Sequence, residues 1–166
     1  MKTNDLTRKQ SEQRAKQIKN VNYSITLLLN KTDMEYRGYT KIIFECNTSI
    51  SNELMIDFVS KKILSLKVND IIIDSYKKDD YSIYLPISII NTDKNIIEIE
   101  YINRYDNTGS GFHRFIDPED KEVYIHTDFE PYDAHRLFPC FDQPDLKASY
   151  KLSIEGPADW QYIHNT

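Results

Sequence analysis

A chain of 166 residues is long enough for one domain with a real core, because a fold of this size buries roughly 70% of its unfolded surface. Its 21 Lys and Arg against 26 Asp and Glu give a net charge of -5, which argues against nucleic acid as a partner; such a binder carries a basic excess on one face. The first twenty residues contain no apolar core of a secretory signal, and the run "ITLLL" is too short to span a bilayer, so no membrane partner is expected.

In chain order, residues 4–19 read as a solvated helix, with Asn4 or Asp5 as the cap that accepts a first-turn N–H. Its apolar content is only Leu6, Ala15 and Ile18, which suits a surface helix over the rim of a sheet. From Val21 the period changes to two. Strands are expected in "VNYSITLLLN", "EYRGYTKIIFECN", "ELMIDFV", "ILSLKVND", "IIID", "YSIYLPI", "NIIEIEYIN", "EVYIHTDFE" and "KASYKLSIEG", with Gly38 as a bulge or bend. The clusters "NKTD", "NTSISN", "SYKKDD", "NTDKN" and "RYDNTGSG" read as turns between them. A last extended piece is expected in "QYIHN", and a chain stopping in a strand there implies a longer parent protein. Twelve Tyr suit half-exposed sheet faces, where a ring packs while its hydroxyl stays wet. These features predict a mainly β domain over residues 1–166, an antiparallel sandwich or curved sheet with one short N-terminal helix.

Cys46 and Cys140, the only cysteines, fit no metal-binding pair; free thiols in a reducing cytoplasm are the simplest reading. His113, His126, His135 and His164 include no pair at helical i, i+4 spacing, and none precedes a Glu. Gly109 and Gly111 lack a phosphate-binding pattern, and no Ser sits in a Gly-x-Ser-x-Gly elbow. No catalytic residue and no metal ligand set is therefore expected in this chain.

What chemistry there is gathers in "HTDFEPYDAHRLFPCFDQPDLKASY", residues 126–150. Strand alternation would place Asp128 and Glu130 on one side with Phe129 on the other. Adjacent carboxylates repel unless something compensates. Two compensations are open: an ion pair with Arg136 or Lys147, or a cationic ligand, either an amine or a metal.

The stretch "GFHRFIDPEDKEVYIHTDFEPYDAHRLFPCFDQPDLKASY", residues 111–150, resembles the N-terminal domain of the aminopeptidase N (M1) family of zinc metallopeptidases, bacterial type. A helix containing "LTR" and the strand "VNYSITLLLN" extend the resemblance toward the N terminus. It implies a saddle-shaped, mostly antiparallel β domain preceding a thermolysin-like catalytic domain of the same chain. That second domain would hold the zinc, with none bound by residues 1–166. Peptide N-termini are the implied substrates. By the same resemblance, Glu130 contacts the substrate α-amine and Asp128 lines the pocket for the first side chain. Asp128 stands where the family has Gln, a departure that predicts altered preference at that pocket. Arg136, Pro139, Cys140, Phe141, Asp142 and Pro144 match a structural motif, with Arg136 tying the turn to a carboxylate. A carboxylate anchor makes chemical sense, since a charged amine is what distinguishes a chain end from a mid-chain peptide. The competing reading is a non-catalytic all-β interaction or scaffold module; HExxH in the parent would separate the two. Self-association of the isolated domain near residues 126–150 is also expected, through surface that the parent covers.

Overall fold

In a computed structural model that describes residues 6–164, a single helix leads into eleven strands. Helix α1 spans Arg8–Gln17 and starts with a reciprocal cap: Thr7 Oγ1 accepts from Gln10 N at 3.3 Å, and Gln10 Oε1 accepts from Thr7 N at 2.9 Å. The cap is therefore Thr7 and not Asn4 or Asp5, which lie outside the described residues, and the helix is shorter than the expected 4–19 because Ile18 and Lys19 already belong to a strand. The residues that α1 buries are polar, Arg14 and Gln17, and the β-branched Ile18 turns the chain directly into a strand. Polar contacts dock the helix: Gln17 donates to Glu53 O, and Gln143 donates to Ser11 O.

The strands are β1 Ile18–Leu28, β2 Glu35–Cys46, β3 Glu53–Asp57, β4 Lys62–Val68, β5 Ile71–Ile72, β6 Lys77–Lys78, β7 Ser82–Pro86, β8 Asp93–Arg104, β9 Gly111–Ile116, β10 Val123–Asp128 and β11 Ala148–Glu155. They form a six-stranded sheet ordered β11-β1-β2-β8-β4-β5, a three-stranded sheet β3-β7-β6 and a two-stranded ribbon β10-β9. Pairing is antiparallel throughout except between β1 and β11, which run parallel. The mainly β, mostly antiparallel expectation holds.

Alternation decides which face is buried. On β2, Tyr36, Gly38, Thr40, Ile42, Phe44 and Cys46 point inward; on β8, Asn95, Ile97, Ile99, Tyr101 and Asn103 do. Leu54 and Ile56 of β3 with Ile83 and Leu85 of β7 join them in one core, each worth roughly 1.5–3 kcal/mol when fully buried. Phe58, just beyond β3, meets Tyr101 edge-to-face at 4.7 Å and so bridges the two sheets. On the outer face of the large sheet, Arg37 pairs with Glu100 and Tyr39 donates to Glu98, charges that keep this side in water.

Four local expectations change. Gly38 is no bulge: its ladder with Leu27 and Tyr101 is continuous, and the irregularities fall at Lys19/Asn22 and Ile63/Ser65 instead. β6 lies inside the expected turn "SYKKDD", because Lys77 and Lys78 pair with Tyr84 and Ile83 on backbone hydrogen bonds that need no apolar side chain. β9, Gly111–Ile116, is not among the expected strands, and it starts on the last residue of the expected turn "RYDNTGSG". Residues 161–164 form no strand and follow a turn at 158–159; Asn165 lies outside the described residues. Cys46 and Cys140 are free thiols, as expected, and both are buried. No helix among the described residues is long and apolar enough to cross a membrane.

Candidate functional site

The ribbon β9–β10 carries the candidate site at one end. Its register sets Tyr124 opposite Phe115, His126 opposite His113 and Asp128 opposite Gly111. Phe115 and Tyr124 stack at 5.2 Å, and the His113 and His126 rings lie 4.9 Å apart. Period two places Tyr124, His126 and Asp128 on the same exposed face of β10. Gly111, at φ +70°, has no room for a side chain, because a Cβ there would lie 2.5 Å from Asp106 Oδ2 and 2.9 Å from Arg136 Cδ.

Arg136 occupies that crowded corner. Its Nε donates to Asp133 Oδ1 at 2.5 Å and one amino group to Asp106 Oδ1 at 3.1 Å. Burial by itself would lower the guanidinium pKa, but the two carboxylates more than offset it and the net shift is upward. Arg136 thus ties the turn to the base of the ribbon, and it does not compensate Asp128 or Glu130. Neither of those carboxylates forms an ion pair among the described residues, so pairing with Arg136 or Lys147 is not what holds them.

The strand ends at Asp128. Glu130 therefore lies in a turn rather than one strand repeat further on, and the alternation argument does not reach it. Both side chains are exposed, and Asp128 Oδ1 accepts from Glu130 N at 3.4 Å. Phe129 between them packs against the core, and its carbonyl accepts from Asp133 N at 3.0 Å, closing the turn.

Beneath this turn lies a buried polar network. Asp57, 1% exposed at the end of β3, takes both amino groups of Arg14 at 2.6 and 2.8 Å and accepts from Asp142 N at 2.9 Å. Its backbone exchanges two hydrogen bonds with Cys140. Asp142 Oδ2 accepts from both the backbone N and the ring Nδ1 of fully buried His135, at 3.1 and 2.7 Å. Since a carboxylate oxygen accepts, Nδ1 carries the proton. The Tyr132 ring packs on this imidazole at 4.7 Å, and burial followed by the nearby Asp57 pushes its phenol pKa upward. Burial, then Asp142 and Asp57, likewise pushes the Cys140 thiol well up, which makes it a core side chain rather than a nucleophile. Pro139 and Phe141 are also buried, and Tyr23 Oη accepts from Phe141 N at 2.9 Å, so the structural reading of this motif fits its geometry.

The Arg14, Asp57 and His135 network was not legible in the sequence. Arg14 and Asp57 are 43 positions apart, and no local spacing marks them as partners. No group of three or more His, Cys, Asp and Glu side chains able to hold a metal ion occurs among the described residues. His113 Nδ1 accepts from Gly109 N at 3.0 Å, so the close His113–His126 pair is not a ready ligand set. Among the described residues no side-chain set fits zinc. A groove of about 500 Å³, lined by Leu28, Tyr36, Ile102 and Glu155 among others, shares no residue with 126–150.

The model of the peptidase M1 N-terminal domain matches residues 19–166. The chain belongs to that family. The aminopeptidase N of Streptomyces lividans is 34% identical to this M1 N-terminal domain over 165 residues, which are 98% of this chain and 19% of that protein. A probable M1 family aminopeptidase of Encephalitozoon cuniculi is 44% identical over 70 residues, 42% of this chain and 8% of its own length. The chain thus spans about a fifth or less of these two relatives. Among solved structures, the aminopeptidase A of Legionella pneumophila in complex with aspartic acid superposes with a TM-score of 0.66 at 20% identity, covering 83% of this chain and 16% of that one. The M1 zinc metallopeptidase of Deinococcus radiodurans gives 0.64 at 11% identity, covering 86% and 33%. At these identities the structural likeness establishes a shared fold.

Proposed function

We propose that residues 1–166 are the N-terminal domain of a zinc aminopeptidase that removes N-terminal amino acids from peptides. In this reading Glu130 binds the substrate's α-ammonium group and Asp128 lines the pocket for the first side chain. A catalytic domain elsewhere in the same longer protein holds the zinc, and this domain alone is inactive. The enzyme works in a reducing compartment such as the cytoplasm, where the thiols of Cys46 and Cys140 persist.

One observation carries the proposal. Glu130 is an exposed carboxylate with no ion-pair partner among the described residues, while the nearby guanidinium of Arg136 is already engaged by Asp133 and Asp106. A carboxylate left open in this way is suited to a mobile cation, and a charge-assisted hydrogen bond to an ammonium group is among the stronger ones. Membership of the M1 N-terminal domain family and the aminopeptidase relatives support the substrate class.

Glu130→Ala in the full-length protein tests it. Removing one partner of a desolvated charge pair costs about 2–5 kcal/mol, or roughly 30-fold to a few thousand-fold in kcat/KM. The melting temperature should stay within a degree or two, because the side chain makes no hydrogen bond or ion pair among the described residues. A variant within about threefold of wild-type efficiency would show that Glu130 is not the anchor.

A further inference from the structure

Glu130 sits beyond the last residue of β10, in a turn that has no ladder of its own, so something else must hold its carboxylate in place. We infer that His135, bonded to Asp142, is the positioning residue for Glu130: it braces the turn from below and keeps the anchor at a fixed distance from the rest of the site. This inference rests on the reading of Glu130 as the amine anchor.

The geometry behind it is specific. His135 makes three directional contacts while wholly buried: its N–H and Nδ1–H both go to Asp142 Oδ2, and its carbonyl accepts from Val59 N at 3.0 Å. Asp142 is itself fixed, because its N–H donates to Asp57 Oδ2, and Asp57 is clamped by Arg14. Residues 135–142 are thereby closed into a loop fastened to the end of β3. Above it the Tyr132 ring rests on the imidazole, and Asp133 N reaches back to Phe129 O across Glu130. Rigid support runs from the core through His135 and Tyr132 to the turn that carries Glu130. An anchor that sets the distance from amine to scissile carbonyl needs such support, since a displacement of about 1 Å costs up to about a hundredfold in rate.

The test uses the full-length enzyme with His135→Phe, which keeps a ring under Tyr132 and removes the Nδ1 donor. KM for aminoacyl amides should rise about ten- to a hundredfold. In a Glu130→Ala background the same change should move KM by less than about threefold, because the anchor it positions is gone. His135→Asn, whose side-chain amide can donate from near the Nδ1 position, should recover KM to within about threefold of wild type. If His135→Phe does not fold, Asp142→Asn carries the test, with an expected KM increase of about three- to tenfold that vanishes in the Glu130→Ala background. A purely structural role predicts the opposite: a lower melting temperature and a smaller active fraction, with KM unchanged or changed equally in both backgrounds. Either KM result overturns the inference, whereas a lower melting temperature by itself is common to both roles. Should Glu130→Ala itself leave KM and kcat intact, the anchor reading falls and this inference with it; a damaging Glu130→Ala beside an unchanged KM in His135→Phe overturns the inference alone.

Discussion

Gly38 and Tyr101 face each other across β2 and β8, and the tyrosine ring fills the space that a side chain on Gly38 would need: a Cβ would lie 2.2 Å from Tyr101 Cζ. Tyr101 is fully buried, wedged against Phe58 and Tyr36, so its ring has nowhere to go. Gly38→Ala should therefore destabilise the protein by about 1–3 kcal/mol through overpacking. In a Tyr101→Ala background the added methyl should cost little, and a double-mutant cycle by urea denaturation measures that coupling.

Arg14 and Asp57 are 5% and 1% exposed; burial is the largest single influence on the Arg14 pKa and lowers it, but the charge and hydrogen bond of Asp57, with smaller contributions from Tyr132 and Cys140, together leave the guanidinium raised. Arg14→Ala would strand a buried carboxylate, and about 3–5 kcal/mol of stability should be lost. Arg14→Met combined with Asp57→Asn removes both charges yet keeps an acceptor for Asp142 N. That pair should recover at least half of the loss, read as the shift in denaturation midpoint at constant m-value.

Burial raises the phenol pKa of Tyr39 and Tyr105 to about 12 from an ordinary 10.0, with the Glu98 hydrogen bond adding to the effect at Tyr39. Desolvation pushes the phenol pKa of Tyr23, Tyr36 and Tyr101 upward as well. A raised pKa means that the folded state holds these protons longer than the unfolded chain. The stabilisation is complete below pH 10 and is lost as pH climbs through 12 and beyond. Phenolate absorbance should show the exposed tyrosines titrating first and the buried ones only in step with unfolding. A smooth titration of all twelve near pH 10, with the fold intact, would contradict the packing described here.

Asp128 is exposed on the same face of β10 as Tyr124 and His126, with no cationic partner among the described residues. If it lines the first side-chain pocket, its charge should favour Arg- and Lys-amides over Ala- and Leu-amides. Asp128→Gln should reduce that preference by about two- to fivefold, the size of a solvent-accessible ion pair. An unchanged ranking of the four substrates would remove Asp128 from the pocket.

Alternation of apolar and polar residues was enough to locate most strands, because period two is a property of the local chain. The two acidic residues at 128 and 130 were also visible as candidates, through the density of chemistry around them and the family resemblance of residues 111–150. Their local pattern still misplaced Glu130: alternation assumes that the strand continues, and where a strand stops depends on its partner, here β9, whose first residue Gly111 faces Asp128. Gly38 looked like a bend because glycine is permissive, whereas its actual cause is a ring 63 positions away. Arg136 could have paired with any of several nearby carboxylates, and only the crossing of the ribbon base with the turn selected Asp106 and Asp133. The clamp of Arg14 on Asp57 and the bond of His135 to Asp142 have no sequence signature at all. Hydrogen bonds and ion pairs act over about 3 Å, so which groups share one is decided by the tertiary path that brings distant segments together.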